Sequence, residues 1–123
     1  MTNASDRVIA FDFDGVLAQY SGFISARDIQ PPNPAVLDTI KILKERGNKI
    51  LIHSTRGDEF LREYCTQFSI PVDYINRRPD REGENPGKPI ASVYVDDHAL
   101  CYKGQSSEEL VAEIENFKTY WRK

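Results

Sequence analysis

Two carboxylates follow an apolar stretch near the start of the chain. The segment VIAFDFDGVL, from Val8 to Leu17, contains Asp12 and Asp14, and Gly15 comes directly after them. A short apolar run of this kind is typical of a strand buried on both faces of a parallel sheet. Charges placed where such a strand ends indicate a site for chemistry, and the glycine supplies the backbone freedom that a tight turn needs.

Polar residues also follow two later apolar runs. The segment KILIHS, residues 49–54, predicts a second strand that ends at Ser54, and residues 92–95 predict a later strand followed by Asp96 and Asp97. In open α/β sheets, ligands bind beyond the carboxyl ends of the strands. We therefore expect these residues and the first pair of carboxylates to meet in one pocket.

Four neighbouring carboxylates repel one another unless a cation lies between them, and hard oxygen ligands suit Mg²⁺. We therefore expect a magnesium site. Beside a metal and a phosphate, the carboxylate of Asp12 could attack phosphorus and form an aspartyl-phosphate that water later hydrolyses. Asp14 could give a proton to the leaving alcohol and take one from the attacking water. Ser54, a lysine and backbone amides could stabilise the phosphoryl oxygens.

The elements that must position these groups alternate along the chain. Asn33 before Pro34 predicts the start of a first helix, and Ser106 with Glu109 forms a capping box for the last one. Residues 71–76 predict a short strand, and a polar loop follows it. The predicted order of elements is strand, helix, strand, helix, strand, loop, strand, helix. This order is typical of an α/β layer fold with a mostly parallel sheet. The apolar positions expected to face the core are Val36, Ile40 and Leu43, then Phe60, Leu61, Tyr64, Cys65 and Phe68, then Leu110, Ile114, Phe117 and Trp121.

The composition suits a single domain over residues 1–123, with 40% hydrophobic and 28% charged residues. A net charge of -3 argues against a broad surface for nucleic acid. Without a basic and apolar leader or a segment long enough to cross a bilayer, we expect a cytoplasmic protein that binds no membrane. Cys65 and Cys101 form no CxxC unit, so reduced thiols are expected, with Cys65 in the core.

Four short segments resemble the four motifs of the haloacid dehalogenase-like superfamily and occur in the same order. They are FDFDGVL, ILIHS, GKP and VYVDD. The resemblance implies a three-layer Rossmann-like domain, Mg²⁺ dependence and phosphoryl transfer through Asp12. It implies that Asp14, through its backbone, and Asp96 bind the metal beside Asp12, with Asp97 in support. It also implies that Lys88 is the cation that binds the phosphate. The second acid favours a phosphatase over a dehalogenase.

The chain departs from most members of that family in its loops. Neither the loop after Leu17 nor the segment RRPDREGENPG is long enough for a cap domain, so the chain resembles the small capless members, some of which act on sugar phosphates. Lys88 also stands too close to the last strand for a helix to fit between them. We expect a small phosphorylated metabolite, such as a sugar phosphate or a nucleotide, as substrate. A second copy of the chain or another subunit could serve as the lid.

Several single residues keep two interpretations. Thr55 could take the role given to Ser54, because either hydroxyl ends the second strand. Arg56, Arg77, Arg78 and Arg81 could bind a distal phosphate or an acidic sugar, or they could be solvated loop charges. His98 could contact substrate or lie on the rim, and His53, inside a strand, is expected to be a packed or hydrogen-bonded core residue.

Other classes of protein also combine acidic clusters with Mg²⁺. A receiver domain would need its phosphoacceptor aspartate at the end of a middle strand, where this chain has Ser54. A nucleotide-sugar transferase would leave the Asp96-Asp97 pair unexplained. A regulatory or binding module on the same fold, without catalysis, stays open as an alternative to the phosphatase.

Overall fold

The computed structural model describes residues 7–19, 30–85 and 87–122, and in these ranges strands and helices alternate. Most of the loop predicted after the first strand, residues 20–29, lies outside them. The elements are β1 (Val8–Asp12), α1 (Pro34–Glu45), β2 (Lys49–His53), α2 (Asp58–Gln67), β3 (Tyr74–Ile75), β4 (Val93–Val95) and α3 (Ser107–Glu115).

The strands form one four-stranded parallel sheet in the order β3-β2-β1-β4. β1 is central: it pairs with β2 from Val8 opposite Lys49 to Asp12 opposite His53, and with β4 on its other side. Because all strands run in one direction, their carboxyl ends lie along the same edge of the sheet. The predicted α/β fold with a parallel sheet is confirmed.

Both helices that connect the first three strands cover one face of this sheet. Ile9, Phe11 and Ile52 of the strands pack with Ile40 of α1 and Leu61 of α2, and all five are buried. Burial of each such side chain is worth roughly 1.5–3 kcal/mol, so this face supplies most of the hydrophobic stabilisation. The packing on this face anchors β1, which ends at Asp12.

A loop covers the opposite face of the sheet. Val8, Ala10 and Leu51 are buried there, and Ala91, from the segment between β3 and β4, packs against them. The Tyr94 hydroxyl donates a hydrogen bond of 2.7 Å to the backbone carbonyl of Pro89, which joins this segment to β4. The layer on this face is therefore a loop where an α/β sheet usually carries a helix.

The last helix is capped as predicted but does not bury the predicted face. The Ser106 hydroxyl accepts from the backbone N–H of Glu109, whose carboxylate accepts in return from the backbone N–H of Ser106. No residue of α3 is buried, and Ile114 and Phe117 are 58% and 37% exposed. The prediction of a buried inner face is therefore wrong. An amphipathic pattern does not say whether a partner surface lies within reach.

Both cysteines carry free thiols. Cys65 is buried in the core as predicted, and burial raises the pKa of its thiol to about 11, whereas Cys101 is exposed. None of the helices that the structure describes has the length and apolar character needed to cross a membrane.

Candidate functional site

A cleft of about 440 Å³ opens at the carboxyl edge of the sheet. Its walls come from the ends of β1, β2 and β3 and from the start of α2, which follows from the parallel direction of the strands. The residues that line it are Asp12, His53, Ser54, Thr55, Asp58, Asn76, Arg77 and Gly87. The structure thus brings Asp12 together with both hydroxyl residues that follow β2.

Asp12, His53 and Asp96 form a group that could hold a metal ion. Each offers one ligand atom, these atoms lie within 4.8 Å of one another, and all three residues are half-buried. The His53 Nε2 atom is buried and has no hydrogen-bond partner within the described ranges. Burial lowers the pKa of His53, which keeps the ring neutral and able to act as a ligand. His53 is thus half-buried at the end of β2 and offers its ring to the cleft.

The charge state of Asp12 depends on what lies beside it. Burial, followed by the neighbouring carboxyls of Asp97 and Asp96, raises the pKa of Asp12 from 3.8 to about 8. Near neutral pH and without a cation, the cluster therefore keeps a proton on Asp12. A metal ion would take the place of that proton, because ligands bind metals in their deprotonated form. The residues present fit a cation at this position.

Asp97 is held beneath this group by the end of the chain. Its side chain is 1% exposed. The Trp121 indole N–H donates to its Oδ2 atom, whereas Oδ1 is buried without a hydrogen-bond partner in the part of the chain that the structure describes. The neighbouring Tyr120 hydroxyl donates to the backbone carbonyl of Gly15. The residues after α3 thus return to the turn that follows β1 and close one side of the acidic cluster.

Arg56 binds the second carboxylate of the DxD motif. Its Nε and Nη2 atoms donate to the two oxygens of Asp14, each at 3.0 Å. The guanidinium carbon lies 5.5 Å from the ring centre of Phe13 and 4.9 Å from that of Phe60. Both Asp14 oxygens are therefore engaged by an arginine that aromatic rings hold in place. The sequence left Arg56 open between substrate binding and a solvated loop charge, and its position along the chain gave no sign of the contact with Asp14.

Asn76 fixes the loop that carries Ser54. Its side-chain oxygen accepts from the Ser54 backbone N–H at 2.9 Å, and its amide nitrogen donates to Asp58 at 2.7 Å. The Ser54 hydroxyl oxygen accepts from the Arg56 backbone N–H at 3.1 Å, so its hydrogen can still point towards a bound oxygen. Sequence reasoning missed Asn76, although it is the last residue of a predicted strand, as Ser54 is.

Two further candidates lie at the rim of the cluster or away from the cleft. The Lys88 ammonium lies 5.0 Å from the ring centre of Tyr94, and Lys88 is not among the residues that line the cleft. His98 donates its backbone N–H to Asp96 at 2.7 Å, and its side chain is 64% exposed. The contact with Tyr94 directs Lys88 towards β4. The hydrogen bond from the His98 backbone holds the Asp96 carboxylate in a turn.

Arg78 and Arg77 have different surroundings although they are adjacent. Arg78 is buried and donates to both oxygens of Asp80, at 3.0 and 2.6 Å, and to the Ile90 carbonyl at 2.8 Å. These contacts assign Arg78 to the scaffold of the loop rather than to substrate. Arg77, whose role the sequence left open between anion binding and a solvated loop charge, lines the cleft instead.

Comparison with known proteins identifies relatives of the fold. The chain matches no protein-family model and no curated protein. It is similar to the solved structure of a conserved protein from Bacteroides thetaiotaomicron, with 23% identity, a TM-score of 0.62, and coverage of 94% of this chain and 95% of that one. It is also similar to part of the Pnkp1/Rnl/Hen1 RNA repair complex, with 20% identity, a TM-score of 0.56, and coverage of 80% of this chain and 38% of that one. At these identities the likeness shows the α/β fold alone.

Proposed function

We propose that this protein is a Mg²⁺-dependent phosphomonoester phosphatase of the haloacid dehalogenase-like superfamily. The observation that carries the proposal is the position of Asp12, whose carboxylate lies with Asp96 and His53 in a group that could hold a metal ion. The same cleft contains the Ser54 hydroxyl. A nucleophilic carboxylate, a cation site and a donor for phosphoryl oxygens are the groups that attack on phosphorus requires.

The donor set suits a divalent cation. The carboxylates of Asp12 and Asp96 and the ring of His53 would hold it, and the family resemblance adds the backbone of Asp14. When bound, Mg²⁺ would offset the negative charge that the carboxylates and the phosphoryl group bring together. Carboxylates favour Mg²⁺ and an imidazole suits transition metals, so Mn²⁺ is the natural comparison.

The chain's own residues would carry the reaction in two steps. In the first, an Asp12 oxygen forms a bond to phosphorus while the bond from phosphorus to the alcohol oxygen breaks, and Asp14 gives that oxygen a proton. In the second, a water oxygen forms a bond to the same phosphorus while the bond from phosphorus to the Asp12 oxygen breaks. Asp14 takes a proton from that water, and inorganic phosphate leaves. The Ser54 hydroxyl donates to a phosphoryl oxygen in both steps.

The salt bridge to Arg56 adds a conformational requirement to this scheme. Asp14 accepts two hydrogen bonds from the guanidinium, so its carboxyl must turn away from Arg56 and take up a proton from solvent before it can protonate a leaving group. The arginine would hold the acid between turnovers and receive it again afterwards. Arg56 is thus a positioning residue for Asp14 in this scheme.

Metal dependence tests the proposal. We expect hydrolysis of an aryl phosphate in the presence of Mg²⁺ or Mn²⁺, complete loss with EDTA, and recovery when Mg²⁺ is added in excess of the chelator. The released phosphate is measured over time. Turnover that persists in EDTA would contradict the proposal. Metal binding without hydrolysis of any phosphomonoester would favour the regulatory module.

A panel of phosphorylated compounds would name the substrate. Sugar phosphates and nucleotides come first, because the cleft is small and the net charge of -3 gives no broad attraction for a polyanion. Since one structural neighbour belongs to an RNA repair complex, an oligonucleotide with a terminal phosphate completes the panel.

A further inference from the structure

Among the residues that the structure describes, no acceptor forms a hydrogen bond with the Arg77 guanidinium. Its Nε atom is buried without a hydrogen-bond partner among the described residues. Its terminal nitrogens lie 3.7 Å from an Asp58 oxygen and 3.6 Å from a Glu84 oxygen, which exceeds hydrogen-bond length. Arg56 and Arg78, by contrast, each hold a carboxylate with two hydrogen bonds. The Arg77 side chain is 43% exposed and lines the cleft, so its terminal nitrogens are the donors that a ligand can reach.

The backbone of Arg77 is fixed relative to the rest of the cleft. It directly follows Asn76, whose backbone has φ +63° and whose side chain bonds both Ser54 and Asp58. The weak pairs with Asp58 and Glu84 restrain the guanidinium from two sides without using its hydrogen bonds. An anion that binds here therefore meets a donor group that is already oriented, which reduces the entropy cost of binding.

The order of the strands sets the distance between Arg77 and the proposed nucleophile. Asp12 ends β1, Ser54 follows β2 and Arg77 follows β3, and these strands are consecutive in the sheet. Two strand spacings amount to about 10 Å between the backbones. A phosphoryl group attacked by Asp12 lies beside β1 and β2, so Arg77 forms the far wall of the cleft.

We propose that Arg77 binds a second anionic group of the substrate, a phosphate or a carboxylate, while Asp12 attacks the first phosphoryl group. This inference rests on the proposed phosphatase function. It deepens that function, because it defines the substrate as a phosphomonoester that carries a further anionic group. A planar guanidinium with free donors matches either group through two parallel hydrogen bonds. Lys88 does not serve this role, since its ammonium lies over Tyr94.

Binding of non-hydrolysable ligands tests the inference without turnover. The probes are a butane-linked bisphosphonate, the phosphonocarboxylate of equal length, and butylphosphonate, titrated calorimetrically in Mg²⁺. We expect the wild-type protein to bind at least one of the two probes with a second anionic group about tenfold or more tighter than butylphosphonate, which is the usual contribution of a charge-assisted pair. The better of the two identifies the second group as phosphate or carboxylate.

Single-residue variants test whether the preference for a second anion depends on the Arg77 guanidinium. Arg77→Ala is expected to abolish the preference for the second anion, and Arg77→Lys to restore part of it. Arg81→Ala is the matched control, because Arg81 is exposed on the same loop and its loss changes the net charge equally. The preference should survive in this control, and circular dichroism should show that all three variants are folded.

The results separate this inference from the phosphatase proposal. Equal binding of all probes by the wild-type protein, no binding of any probe, or an unchanged preference in Arg77→Ala would overturn the role of Arg77. If the preference depends on Arg77 but no phosphate ester is hydrolysed, the anion site stands and the phosphatase proposal fails.

Discussion

Replacing Asp12 by asparagine is expected to lower kcat/KM for aryl phosphate hydrolysis by about 10⁴-fold or more. An amide oxygen carries no charge to attack phosphorus and forms no stable phosphoryl adduct. Steady-state hydrolysis in Mg²⁺ measures the effect. Asp38→Asn is the matched control, since Asp38 is exposed on α1, and it should keep wild-type activity.

The same variant should not lose stability, which separates a lost nucleophile from a lost fold. Folding raises the pKa of Asp12 from 3.8 to about 8, so between these values the folded protein binds a proton that the unfolded chain releases. The stability of the metal-free wild-type protein therefore falls as the pH rises through this range. Asparagine removes this dependence. A markedly lower melting temperature for Asp12→Asn in EDTA at about pH 8 would contradict the account of the site.

Replacing Gly15 by alanine is expected to destabilise the protein by about 3 kcal/mol or more. An added Cβ would lie 2.3 Å from Asp97 Oδ2 and 3.0 Å from Trp121 Nε1, and Gly15 has φ +85°. Neither neighbour can move freely, because Asp97 is buried and the two side chains are hydrogen-bonded to each other. The substitution therefore combines backbone strain with overpacking beside the acidic cluster.

Gly104→Ala isolates the strain contribution. Gly104 has φ +84°, and no atom of the described residues lies within 4 Å of the position its Cβ would take. We expect a loss of about 1 kcal/mol in this control. Urea unfolding followed by fluorescence measures both variants, since Trp121 is the single tryptophan of the chain. If both variants lose the same free energy of unfolding, contact of the added Cβ with Asp97 and Trp121 does not destabilise the protein.

Local patterns were enough to predict most of the fold. The apolar run of β1, the stripe on α1 that buries Ile40 and the capping box at Ser106 all describe interactions between residues close in sequence. The parallel sheet follows from the alternation of these elements. The packing of α3 could not be predicted in this way, because burial of its apolar positions depends on whether the sheet offers a free face nearby.

Some contacts of the candidate site could likewise be predicted from the sequence, and others could not. The rule that polar groups gather at the carboxyl ends of parallel strands accounts for Asp12 and Ser54 in one cleft. Applied to β3, the same rule favours Arg77, one of four arginines whose role the sequence left open. The salt bridge between Asp14 and Arg56 depends on the relative positions of two loops. Sequence spacing carries no information on such a contact.

Detection of a phosphoryl group on Asp12 is the most direct test of the account. The protein is mixed with an aryl phosphate and Mg²⁺, quenched in acid within one turnover, digested and analysed by mass spectrometry. The account predicts one phosphoryl group on the peptide that contains Asp12, and none in the Asp12→Asn variant or in EDTA. Turnover without a phosphorylated peptide, or a phosphoryl group on a different residue, would contradict it.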